Sequence, residues 1–174
     1  FSGTINGGRS HIFVLSAIKR TELLDRIGHN KILECPWLGG PFKRADGWYR
    51  QEIDSYIIGY NYLGGRQLSP WPVPSGCSPW KSPQKITDRL TSPVITEMND
   101  WITETSELRT FAPHGARGPV VQFAEKGKGG IPSRQAGAIG GNLGYLDGSV
   151  CWKDMSDMTP HLATTYTNSA FGVW

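Results

Sequence analysis

Cysteine is scarce: the 174 residues hold only Cys35, Cys77 and Cys151, and no two form a C-x-x-C pair. That spacing excludes a zinc ribbon and a thioredoxin-like redox site. An odd count leaves either one bridge with a free thiol or three buried thiols. Long apolar runs are missing too. The longest, IFVLSAI at 12–18, falls far short of the 18 or more residues, roughly, that a membrane-spanning helix needs. Neither sign of charge prevails, since 18 basic against 15 acidic residues give +3, scattered along the chain. This is too little for an electrostatic nucleic-acid footprint, so no nucleic-acid partner is expected. The clearest basic concentration, Lys126, Lys128 and Arg134, lies in a Gly-rich stretch and reads as solvated. No secretory leader is legible either, which leaves a cytosolic address or one whose signal has been removed.

What is abundant is Gly (22), Pro (12) and Trp (7), a composition for many turns and long ordered loops pinned by indoles. RSHIFVLSAIKRTELLDRIGHN reads as an amphipathic helix, with Phe13, Ala17, Leu23, Leu24 and Ile27 on one side and Gly28 as its stop. KILEC reads as a short strand ended by Pro36. SYIIGYNYLGG at 55–65 reads as one central strand with a bulge at Gly59. SPWPVPSGCSPWKSP cannot form a ladder, because each Pro lacks an N–H. SPQKITDRL reads as a short helix capped by Ser82, while PVITEMN and PVVQFA read as strands. GGNLGYLDGSVCWKD at 140–154 carries a strong hairpin signal, Asp147-Gly148 between two alternating runs. The order implies one α+β domain over 1–174: an N-terminal helix packed on an antiparallel sheet, long Gly/Pro/Trp-rich loops, and a C-terminal β-hairpin.

Catalytic motifs are absent: there is no H-E-x-x-H, no G-x-S-x-G, no P-loop and no EF-hand loop. GAIGGNLG at 137–144 lacks the dinucleotide spacing and leads into a strand, so no helix N-terminus would meet a pyrophosphate. The four histidines, His11, His29, His114 and His161, lie far apart in sequence. His114, in APHGARG, has the loop around it fixed by Pro and Gly. Carboxylates gather at Glu97, Asp100, Glu104 and Glu107; with His114 they are the material for a hydrolase, if two of them face a cleft. Calcium is the one cofactor considered, with Asp147, Asp154 and Asp157 as weak candidate ligands, and solvated charge as the default. Trp37, Trp71 and Trp80 each adjoin a Pro, which suits loop packing first and stacking on a glycan second.

ECPW, SYIIGYNYLGG, APHGARG and AGAIGGNLGYLDGSVCWKDMSDM follow one another in this order, and a terminal aromatic closes the chain. The series resembles the C-terminal globular domain of prepilin-like proteins with the processing-associated His-x9-Asp-Gly motif, relatives of type IV pilins and type II secretion pseudopilins. It spans most of the chain from about residue 30 onward. Its most specific block contains Asn142, Tyr145, Asp147, Gly148, Ser149 and Trp152. Two features depart from that pattern. Gly137 stands where the family has His, and the family's N-terminal apolar helix is not among these residues, so the sequence reads as the head alone.

The resemblance implies a non-enzymatic subunit of an extracellular filament or cell-surface assembly, self-associating or docking to a surface glycan or protein. It also implies a leader and an apolar helix encoded ahead of Phe1. Asn142, Asp147, Gly148 and Trp152 would then be structural. Asp147-Gly148 would form a type I′ corner with Gly148 at positive φ, and Trp152 would pack the hairpin down. Outside the cytoplasm a disulfide is permitted, and Cys35 with Cys77, both beside irregular Pro-flanked segments, is the expected pair.

Overall fold

Ile12, Phe13, Val14 and Leu15 are consecutive and all buried, which an amphipathic helix cannot achieve. That run is instead non-helical, strand from Val14, and the helix begins only after Ser16, whose hydroxyl accepts from the Lys19 N–H. The computed structural model describes residues 11–28, 31–38, 42, 48–51, 54–66, 73–103, 108–123, 129–164 and 170–174. In chain order the elements begin with β1 (Val14–Ser16), α1 (Ala17–Ile27), β2 (Trp48–Arg50), β3 (Ser55–Ile57), β4 (Tyr60–Tyr62) and β5 (Pro93–Glu97). They continue with β6 (Asp100–Ile102), β7 (Leu108–Ala112), β8 (Val120–Phe123), β9 (Gly140–Tyr145), β10 (Val150–Asp154), β11 (Pro160–Leu162) and β12 (Ala170–Val173). These strands form three antiparallel sheets, ordered β1-β3-β2, β10-β9-β5-β4 and β11-β12-β6-β7-β8.

The α+β expectation is therefore corrected. Among the described residues the protein is mostly β, with one α-helix and no sheet built around it. Helix α1 has no buried residue; Leu23 and Leu24 are half-buried against Leu15, Leu33 and Ile58, and Ile18 is 72% exposed. Of the residues read as one helical face, only Phe13 lies upstream of the cap; Ala17, Leu23, Leu24 and Ile27 are in the helix, but none of them is fully buried. Its stop is as expected: Gly28 has φ 79° and its N–H donates to Leu24 O. No helix among the described residues is long and apolar enough to cross a membrane.

Three more local expectations change. KILEC holds a 3-10 turn at Lys31–Leu33. SPQKITDRL forms turns; the Ser82 hydroxyl donates to Leu63 O and accepts from the Arg66 N–H, so it caps nothing. SYIIGYNYLGG divides at Ile58-Gly59 into β3 and β4, which belong to different sheets. Arg66 ties these parts together. Its buried guanidinium donates to the carbonyls of His11, Ile12 and Tyr62, and burial lowers its pKa to about 10.

The β9–β10 hairpin forms, but not with a two-residue turn. Gly148 N–H donates to Tyr145 O and Tyr145 N–H to Ser149 O, enclosing Leu146, Asp147 and Gly148. Only Gly148 has positive φ there, +83°, so the corner is a three-residue loop closed by a glycine bulge, not the type I′ turn expected. A Cβ on Gly148 would meet nothing within 4 Å, so Gly148→Val carries a purely conformational cost. A loss of about 1 kcal/mol or more is expected in denaturant melts. Unchanged stability would show that the loop readily adopts another turn.

Candidate functional site

Alternation along β9 sends Leu143 inward, 2% exposed, and Gly140, Asn142 and Gly144 outward. Across the hairpin, Gly144, Asn142 and Gly140 face Val150, Trp152 and Asp154; on the other flank Gly144 faces Ile95 of β5, and Glu97 faces Tyr60 of β4. Gly144, with no side chain, lines a trough in the outer face of the sheet, while the Trp152 ring covers Gly140. A Cβ on Gly144 would lie 2.7 Å from Ile95 Cγ2, and one on Gly140 would lie 2.7 Å from the Trp152 ring, so neighbouring side chains fold over both positions. The groove has a volume of about 380 Å³, with Tyr60, Ile95, Glu97, Asn142 and Val150 among its walls.

A polar cluster sits beside it. The His114 Nε2 atom stands 3.1 Å and 3.0 Å from the two Glu97 carboxylate oxygens. Glu97 also accepts from the Asn142 N–H at 2.8 Å and the Asn142 side-chain amide at 3.2 Å. The His114 ring is close to two indoles, Trp37 at 5.9 Å and Trp152 edge-on at 5.1 Å. Both indoles stay open to solvent, Trp37 at 58% and Trp152 at 44%, while Trp152 Nε1 donates to Asp154. Trp152 therefore lies over the hairpin with much of its ring uncovered.

Of the hydrolase candidates, Glu97 and His114 meet and Asp100 does not join them: it is on β6, 1% exposed and bonded to Asn61. Glu104 and Glu107, like Trp71, His29, Lys126 and Lys128, lie outside the described residues. Among the described residues no hydroxyl or thiol is hydrogen-bonded to His114.

The calcium candidates are dispersed. Asp147 Oδ1 accepts from the Ser149 N–H and hydroxyl, and those bonds hold its carboxyl below the usual range. Asp154 accepts from Trp152, and Asp157 faces Ser156 at 3.5 Å. No group of three His, Cys, Asp or Glu able to hold a metal occurs among the described residues. Asp147 is thus engaged as a turn former.

The expected Cys35–Cys77 bridge is corrected as well, because all three thiols are free. Cys35 is buried among Phe13, Leu38 and Phe42, with its Sγ accepting from the Leu38 N–H, and burial pushes the thiol pKa up. Proline-flanked irregularity described both cysteines correctly and said nothing about their distance. Residues not singled out from sequence include Asn61 and Arg66, both buried and polar. The alternation Tyr60-Asn61-Tyr62 was a usable signal, since it points Asn61 to the opposite face from the two tyrosines.

No family model matches the chain, and no curated protein or solved structure does either.

Proposed function

We propose that this chain is a non-enzymatic subunit of a pilin-like or pseudopilin-like extracellular assembly, docking through the outer face of the β10-β9-β5-β4 sheet. The class rests on the ordered sequence blocks; it does not rest on a helix-on-sheet head, which this fold lacks. The observation that carries the docking face is the exposure of Ile95 (36%), Val150 (67%) and Trp152 (44%) around the glycine trough, with β10 on the sheet's edge. An edge strand offers unpaired backbone groups, and apolar side chains beside it supply area for a partner. Val150→Glu places a charge on that face at a position too exposed to matter to the core. Sedimentation and cross-linking are expected to show self-association or docking weakened about tenfold or more, with the melting temperature nearly unchanged. Assembly indifferent to Val150→Glu and to Trp152→Ala would sink the reading.

A second reading has an observation of its own. Two partly exposed indoles near His114, with the Glu97 and Asn142 polar atoms hydrogen-bonded to one another nearby, suit a glycan-binding module that stacks a sugar ring. Quenching of tryptophan fluorescence by neutral oligosaccharides, lost in Trp152→Ala, would favour it over assembly.

A further inference from the structure

The opposite side of the same hairpin faces a second groove, of about 720 Å³. Its walls come from the 80–93 segment, from β9 and β10, and from the buried ends of two later elements, represented by His161 and Trp174. Three of the lining side chains are cations, Lys81, Arg89 and Lys153, and they come from separate points of the chain. The lining carboxylate, Asp88, accepts from the Gln84 and Lys85 N–H groups, which hold its pKa low and keep it anionic, so the three cations outnumber one opposing charge. None of the three cations forms an ion pair with a described residue.

The groove is preformed. Trp80 Nε1 donates to Leu162 O, Ser82 is bonded to both Leu63 and Arg66, and the Ser92 N–H donates to Arg89 O. A loop held at so many points loses little entropy when a ligand arrives.

The two indoles in the groove do not offer stacking faces. Trp80 and Trp174 are 7% and 5% exposed, they meet edge to face at 5.3 Å, and His161 covers Trp174 at 4.4 Å. Tyr145, half-buried on the same wall, is the lining aromatic left partly open to solvent. What remains accessible is positive charge, together with the lining hydroxyl residues Thr91 and Ser92. From this geometry we infer that the groove binds an acidic oligosaccharide, its carboxylates meeting Lys81, Arg89 and Lys153 and its hydroxyls the rim. This site is separate from the Trp37–His114–Trp152 cluster and stands whether or not the protein assembles through that face.

The probe is a hexamer of galacturonic acid, titrated calorimetrically against its fully methyl-esterified form. The acid is expected to bind, and the ester, with the same sugar backbone but uncharged, to bind at least about tenfold more weakly, one charge-assisted contact being worth about that factor. Lys81→Ala and Arg89→Ala, at exposed positions, should each weaken the acid about tenfold and lower its salt dependence. Lys153→Gln serves as a third variant if either of these fails to fold. Lys31→Ala, which removes an exposed cation outside the groove lining, should leave the acid's affinity unchanged. The inference is overturned by no binding at millimolar acid, by equal binding of the ester, by affinity insensitive to the cation variants, or by tighter binding of an aspartate peptide or an oligonucleotide of equal charge.

Discussion

Gly59→Ala is expected to destabilise the protein by about 4 kcal/mol or more, at the upper end for single substitutions. Gly59 is where the chain leaves β3 in one sheet for β4 in another, and it passes directly over Cys35. A Cβ there would lie 2.7 Å from Cys35 Cβ, 2.9 Å from its Cα and closer still to its backbone N. Backbone atoms cannot rotate away as a side chain can. Both partners are also fixed, since the Gly59 N–H donates to Leu33 O at 2.8 Å and the Cys35 N–H to Phe42 O at 2.9 Å. Relief would shift the Leu33–Cys35 segment and open the cluster of Phe13, Leu38, Phe42 and Phe111. A fall in melting temperature of roughly 10 °C is the corresponding expectation for a chain of this size. Gly64→Ala is the control: its nearest contact is a side-chain atom and not backbone, Val94 Cγ1 at 3.2 Å, and it should cost clearly less. Similar melting temperatures for the two variants would show that the crossing at Gly59 is looser than its distances imply.

The same crossing shows what was legible in the sequence. Features set within a few residues could be read: the hairpin at 140–154, the strands at Pro93–Glu97 and Val120–Phe123, and the Gly28 stop. Features set by distant partners could not. The break at Gly59 depends on Cys35, which lies elsewhere in the sequence, so the local pattern suggested one strand with a bulge. Ile12–Leu15 matched a helix because a helical face tolerates such residues; their burial beneath neighbouring strands was decided by tertiary contacts. At the candidate site, His114, Glu97, Asn142 and Trp152 were each noticed, but their convergence required the β5–β9 register. Asp100 was grouped with an acidic stretch from its neighbours alone. Its strand pairs with β12 and β7, and that pairing turns the side chain into the interior.

Asp100→Asn is therefore expected to stabilise the protein near neutral pH and to flatten part of its pH dependence. Asp100 is fully buried, and desolvation raises its pKa to about 8, opposed only in part by the Asn61 amide that donates to Oδ1 at 2.8 Å. The folded-state pKa thus lies above the usual carboxyl value of 3.8. The folded protein holds this proton more tightly than the unfolded chain, so the stability linked to it is fully present below about pH 4. It declines as pH rises and is lost once pH passes about 8. At roughly 1.4 kcal/mol per unit, the decline amounts to at most about 6 kcal/mol. Asparagine keeps an oxygen for the Asn61 donor and places an amide where Oδ2 has no partner, without a charge to bury. The measurement is the difference in unfolding free energy, variant minus wild type, from denaturant melts between pH 4 and 9. That difference should climb steadily to about pH 8 and then level off. A flat difference would mean that Asp100 ionises as easily inside the protein as in the unfolded chain.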